Sequence, residues 1–278
     1  MAVVVVTDSS SRLEPDQRVQ WAIRQVPLHV LDDGTDLRDG VDRMPHDIHD
    51  RAKVTTAGAT PVELAETYRQ ALVDSDGEGV VAVHISAALS STYSSAVLAA
   101  REFGPAVRVV NSRSAAMGVG FVALAAARSA HAGEGLDAVE TAARAAVPRG
   151  HAFIVVHRLD NLRRSGRIGT AASWLGTALS LKPLLCLDVD GRLVLSQRIR
   201  TASKAQAALI DQVAEVIGEG RADVVVHHVD NHDAADQIGA ALTSRLPQLQ
   251  SLSVTEMGPV LGVHVGAGAV GVCLSVSR

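Results

Sequence analysis

Three short runs of β-branched residues, at 3–7, 80–85 and 107–110, each end in a polar loop, and each loop leads into a segment of helical length. Runs this short and this largely apolar suit strands buried on both faces. Such strands in series with helices build a parallel sheet with crossover helices. The pattern predicts helices near 15–25, 61–72, 118–132 and 137–147, and one running from the 86–93 loop through Arg101. Within 61–72, Leu64, Ala65, Tyr68 and Leu72 share one face. The stretch 26–54 reads differently. Its Asp32-Asp33-Gly34 and Asp39-Gly40 turn signals predict a small hairpin excursion, with a short helix near 45–50.

A second regime starts beyond Pro148 and Gly150. Strands are predicted near 153–156, 183–187, 193–199, 223–229, 252–255 and 271–276, with a hairpin turn at Asp190-Gly191 and helices at 201–217 and 234–246. Hairpins and crossovers together imply a mixed sheet. A chain of 278 residues is near the size at which one core gives way to two. The expected fold is therefore α/β. A parallel-sheet domain at 1–150, with an inserted hairpin unit at 26–54, precedes an α/β domain with a mixed sheet at 151–278.

With 26 basic and 30 acidic residues the net charge is -4, which argues against a nucleic-acid surface. No stretch is long and apolar enough to cross a membrane, and Met1 leads into the first strand without a basic leader; a cytoplasmic location is expected. Cys186 and Cys273 lie in apolar runs and read as buried thiols. The eleven histidines show no ligand spacing, and His227 and His228 fall on opposite faces of a strand, so no metal is expected.

Five polar segments stand at predicted strand ends or loops: 7–11, 55–61, 86–93, 163–169 and 262–268. Capping accounts for part of them, with Ser9 or Ser10 on the first helix and Thr60-Pro61 on the next. It does not account for the crowding of hydroxyls at Thr56, Ser90, Ser91 and Thr92. Arg167, between Gly166 and Gly169, offers a fork suited to a carboxylate or phosphate, whereas Arg163 and Arg164 are expected to face solvent or a partner. His264 sits in a glycine-rich run with Gly262, Gly266 and Gly268. Dinucleotide, phosphate-loop and nucleophile-elbow motifs are missing, so neither nucleotide binding nor a cofactor is expected. Together the segments imply a small-anion site between two domains.

In their order these segments resemble the DegV family of bacterial fatty-acid-binding proteins. The matching pieces are Thr7-Asp8-Ser9-Ser10, the 55–61 segment, Leu89-Ser90-Ser91-Thr92-Tyr93, Asn111-Ser112, Gly118-Val119-Gly120, the run from Leu162 to Gly169, Leu181-Lys182-Pro183, and the 262–268 segment. The resemblance implies a long-chain fatty acid in an apolar tunnel. It places Thr56 and Ser90 on the carboxylate, His264 beside it and Arg167 as the nearby positive charge, with Ser91, Thr92 and Gly266 completing the ligand site. It further implies a monomer without catalytic residues of its own, which presents the acid to a separate ATP-dependent kinase subunit for acyl phosphate formation. The chain departs from the family pattern at Ala57, Gly58, Ala59, Ser91, Val265 and Ala267. A rival reading is a serine-dependent acyl transferase or hydrolase using Ser90 and His264, with Asp8 as orienting acid. Aromatic residues are only 3% of the chain, so aliphatic and small side chains must line any tunnel. Trp174, in the small, apolar segment 170–181, suits either ligand contact or core.

Overall fold

The computed structural model describes residues 2–51, 53–168 and 181–277; Gly169 and Trp174 lie outside the described residues. The first sheet is wholly parallel, in the order β2-β1-β6-β7, with β1 at Val4–Asp8, β2 at Arg24–Val26, β6 at Val80–His84 and β7 at Val107–Asn111. Every residue of β6 is buried, which is why its sequence shows no alternation. Val80 and Ala82 pack under helices α2 (Pro61–Asp74) and α3 (Thr92–Ala100), and Val81 and Val83 pack under α4 (Met117–His131) and α5 (Leu136–Ala146). Thr60 caps α2 as expected: its Oγ1 accepts from the Glu63 N–H, and the Glu63 carboxylate accepts from the Thr60 N–H.

The second sheet has the order β10-β9-β8-β13-β11-β12. Its strands are β8 (Gly150–Val155), β9 (Leu184–Leu187), β10 (Leu193–Gln197), β11 (Arg221–His228), β12 (Ser251–Glu256) and β13 (Val270–Ser277). All pairings are antiparallel except β11 with β12, so the sheet is mixed as the sequence implies. Helices α7 (Ala202–Ile217) and α8 (His232–Arg245) cover one face. The other face turns toward α4, and Val225 and Cys273 join the apolar cluster under the first sheet. The tip of the β9–β10 hairpin closes over the first sheet's loops. Ser86 Oγ donates to the Gly191 carbonyl at 2.8 Å, and Arg113 Nη1 to that of Val189 at 3.2 Å.

The inserted unit is a three-stranded antiparallel sheet, β4-β3-β5, built from β3 (His29–Asp32), β4 (Thr35–Arg38) and β5 (Thr55–Ala57). Asp33 and Gly34, at φ 46° and 82°, form the tight hairpin turn that Asp-Gly favours.

Five local expectations are corrected. The first helix, α1, is only Pro15–Gln20, because Arg24 to Val26 leave helical space to pair with β1, and Pro27 disfavours helix at Val26. Residues 45–50 form hydrogen-bonded turns, Ile48 N–H to Pro45 O and Asp50 N–H to Asp47 O, without a helix. No serine caps α1, which Glu14 and Gln17 close; Ser9 Oγ instead accepts from the Leu28 N–H, and Ser10 Oγ donates to Asp8. The run near 262–268 opens with a helix, α9 (Pro259–Val265), started by Pro259 in its first turn. Cys273 is buried, but Cys186 is only half-buried.

Candidate functional site

A cavity of about 520 Å³ lies between the two sheets, within the roughly 300–1,000 Å³ range of small-molecule sites. Its walls are mainly aliphatic, with Leu28, Ile85, Leu187, Val260 and Val272 among them and, among the described residues, Phe153 the one phenylalanine, tyrosine or tryptophan. Several separate elements bring hydroxyl, imidazole and guanidinium groups to its lining. β5 presents Thr56, the loop before α3 presents Ser90 and Ser91, the turn after α6 (Asp160–Ser165) presents Arg167, and α9 presents His264.

Thr56 Oγ1 and His264 Nε2 are 2.7 Å apart. Burial, then the nearby Arg167 guanidinium, push His264 down to about 4, so the ring is neutral at pH 7. Nδ1 of His264 has no partner among the described residues. In one tautomer Nε2–H donates to Thr56 and frees the threonine O–H; in the other Thr56 donates to Nε2 and Nδ1–H remains. Either way the pair has one donor to offer a ligand. Ser90 Oγ accepts from the Thr92 N–H at 3.2 Å and lies 2.9 Å from Thr92 Oγ1. When Thr92 donates, the Ser90 O–H is spare. Arg167 is half-buried and donates to the carbonyls of Leu89 and Ser165, and it brings a full positive charge to the lining. Neutral donors beside one fixed cation suit a carboxylate, whose desolvation they offset.

Thr56, Ser90, Ser91, Arg167 and His264 therefore meet at one cavity. Thr92 is fully buried behind Ser90 and supports it. Gly266 does not line the cavity; it ends α9 at φ 79°, ψ 165°, a glycine conformation, with Asn161 Nδ2 only 3.0 Å from where a Cβ would stand. Arg163 and Arg164 are exposed, as expected. Gly58 escaped sequence reasoning: a Cβ there would fall 2.6 Å from Thr92 Oγ1 and 3.3 Å from Ser90 Oγ, so only glycine lets β5 and its loop approach the hydroxyl pair. His227, Met257 and Cys273 also line the cavity unforeseen. Strand alternation, read one step further, would have turned His227 inward.

A serine–histidine–aspartate arrangement is not assembled. His264 bonds Thr56 rather than Ser90, and buried Asp8 accepts from Ile85 N–H at 2.9 Å and pairs with His84 Nδ1 at 3.0 Å. His84 Nε2 in turn meets Tyr68 at 2.9 Å. Among the described residues no group of three His, Cys, Asp or Glu side chains converges to hold a metal, and no helix is long and apolar enough to cross a membrane.

The family model described as "Uncharacterised protein, DegV family" matches residues 2–277. The chain belongs to the DegV family. A DegV domain-containing protein of Mycobacterium tuberculosis is 64% identical over 276 residues, covering 99% of this chain and 98% of the relative. Among solved structures, "Fatty Acid Binding of a DegV family Protein from Thermus thermophilus" superposes with a TM-score of 0.93 at 32% identity, over 100% of both chains. A DegV family protein of Corynebacterium glutamicum gives 0.89 at 33% identity, over 100% of this chain and 99% of the other. The DegV fold thus explains the paired parallel and mixed sheets, and the cavity lies where the two meet.

Proposed function

We propose that this DegV protein holds one long-chain fatty acid in the cavity, with the carboxylate at Thr56, Ser90, His264 and Arg167 and the chain between the sheets. The observation that carries this reading is an aliphatic cavity whose lining includes neutral donors and one cation. The fatty-acid binding described for the Thermus thermophilus protein supports it. Each methylene taken from water contributes about 0.8 kcal/mol, so the chain supplies most of the affinity. The head-group contacts offset the cost of burying a charge. Ser91 adds a further hydroxyl at the cavity, Thr92 orients Ser90, and Gly266 shapes the end of the helix that carries His264.

On this reading the units at 1–150, with its insert at 26–54, and 151–278 close on the acid as two domains of a cytoplasmic monomer. The protein supplies no cofactor or catalytic group. It presents the carboxylate to a separate ATP-dependent kinase subunit, which forms the acyl phosphate. Calorimetric titration of delipidated protein with oleate and palmitate tests the binding half, and saturation near one acid per chain is expected. No binding would end this reading. A transfer assay with ATP, magnesium and loaded protein tests the other half. Acyl phosphate should form only when a kinase subunit is added; formation by the protein alone, lost in a Ser90→Ala/His264→Ala double variant, would make it an enzyme.

A further inference from the structure

The polar segment after β1, residues 8–12, does not line the cavity, yet its side chains reach the supports of three head-group residues. Asp8 is fully buried, and its Oδ2 accepts from the N–H of Ile85 at 2.9 Å. Ile85 follows β6 and leads into the loop of Ser90 and Ser91. Ser9 Oγ accepts from the Leu28 N–H at 3.0 Å, and the Leu28 carbonyl accepts from the Asp39 N–H at 2.8 Å. Those two residues close the base of the β3–β4 hairpin, and β3 pairs with β5, which carries Thr56. Arg12 reaches the third support, the start of α9, which carries His264.

Arg12 Nε donates to the carbonyl of Glu256, the last residue of β12, at 3.3 Å, and Nη1 stands 3.8 Å from Asp39 Oδ1. The guanidinium lies flush against Gly258, the residue that opens α9; a Cβ there would collide with its Nη1 and Cζ. One side chain of the first sheet thus touches both the insert and the entry to α9. Asp39 is buried, and a buried carboxylate needs a cation beside it. Arg12 itself sits at φ 54°, ψ 25°, a left-handed conformation that costs any residue with a Cβ. Glycine would relieve that cost but would lose the guanidinium. Strain of this kind, kept close to a binding site, points to a task for the side chain.

We propose that Arg12 is a positioning residue for acid binding: by tying Asp39 and the start of α9 to the first sheet, it holds Thr56 and His264 in register to receive the carboxylate. This rests on the fatty-acid reading above and deepens it. Thr56 Oγ1 and His264 Nε2 come from opposite ends of the chain and stand 2.7 Å apart. A relative shift of about 1 Å between the insert and α9 would take the pair out of hydrogen-bond range.

The test is a double-mutant cycle, read by titrating delipidated protein with oleate. Arg12→Gln should weaken binding about tenfold in the wild-type background but only about twofold when Thr56→Val is already present, because Arg12 acts through the pair that Thr56→Val breaks. Arg12→Lys keeps a cation beside Asp39 and drops the bond to Glu256, so it should recover part of the affinity. The same cycle run with Arg12→Lys covers the case in which Arg12→Gln does not fold. Nitrogen-15 NMR of the His264 ring reads the Thr56 bond directly, and in either Arg12 variant its signals should move toward those of Thr56→Val. Wild-type affinity in the Arg12 variants, a loss of equal size in both backgrounds, or unmoved His264 signals would overturn the inference and leave fatty-acid binding intact. Failure of the wild-type protein to bind oleate would overturn the underlying reading and the inference with it.

Discussion

Ser90 and Thr56 both offer hydroxyls to the cavity, but only Ser90 also holds a helix end. Its Oγ accepts from the Thr92 N–H at the start of α3, so Ser90→Ala removes a cap and a ligand donor together. That variant should lose about 1 kcal/mol of stability and roughly 1.5–3 kcal/mol of acid affinity. Thr56→Val should lose comparable affinity with a melting temperature close to wild type. Thermal melts beside titrations separate the two, and wild-type affinity in Thr56→Val would remove Thr56 from the ligand. Gly58→Ala drives a methyl into Thr92 Oγ1 and should weaken acid binding although residue 58 adds no polar group; unchanged affinity would show that the hydroxyl pair tolerates displacement. The hydroxyls, Arg167 and His264 were legible in sequence because polar residues cluster at strand ends and their ordered motifs resemble a family. Gly58 was not, since its role is the absence of a Cβ opposite residues 32 and 34 positions along the chain. His227 sat in a plain strand pattern, and its surroundings come from β13 and α4, far away in sequence.

The element that couples the insert to the site is α9. Gly262 lies on it, and a Cβ there would stand 2.4 Å from atoms of the His49 ring, which the insert contributes. Asn161 of α6 donates to the Val263 carbonyl at 3.1 Å and approaches that of His49 at 3.4 Å. α9 is thus wedged between the insert and α6, and His264 is placed by both. Gly262→Ala should shift α9, lowering melting temperature and acid affinity together; a change in stability alone would mean that His264 is positioned without this wedge. Arg167 belongs to the turn after α6 and is anchored to the Leu89 carbonyl of the serine loop. If a kinase subunit acts on the bound acid as proposed, Arg167→Ala is expected to reduce acyl phosphate formation more than retention of the acid, and a normal rate would make the residue structural. Long periodic elements such as α2 and α7 were legible because one side chain in three or four repeats the same burial. The short β2, β5 and α9 were not, because three to seven residues carry too little periodicity and their partners fix their conformation.

Across the whole molecule, buried histidines set the response to acid. Between pH 6.5 and about 4 the unfolded chain takes up a proton at His264 that the folded chain refuses, so stability falls as pH falls through that window. His227, held down to about 3, acts in the same direction, and burial lowers His49, His151 and His228 as well. The melting temperature of delipidated protein should therefore decline steadily from pH 7 to 4, and His264→Gln should make the decline shallower. A flat profile would contradict the burial of these rings. A carboxylate beside His264 favours its protonated form, so loaded protein should lose less over the same range. The two-sheet plan was legible from the change in pattern near residue 150. The apolar seam that joins α4 to β13 was not, because its residues look like ordinary core in either half. That seam and the polar groups of the cavity bound the space between the sheets that one acid is proposed to occupy. Native mass spectrometry of the purified protein, with extraction of whatever is bound, reads that occupancy. A mass increment of one fatty acid per chain, reduced in a Thr56→Val/Ser90→Ala variant, is the predicted result; unliganded protein that also takes up no added fatty acid would contradict it.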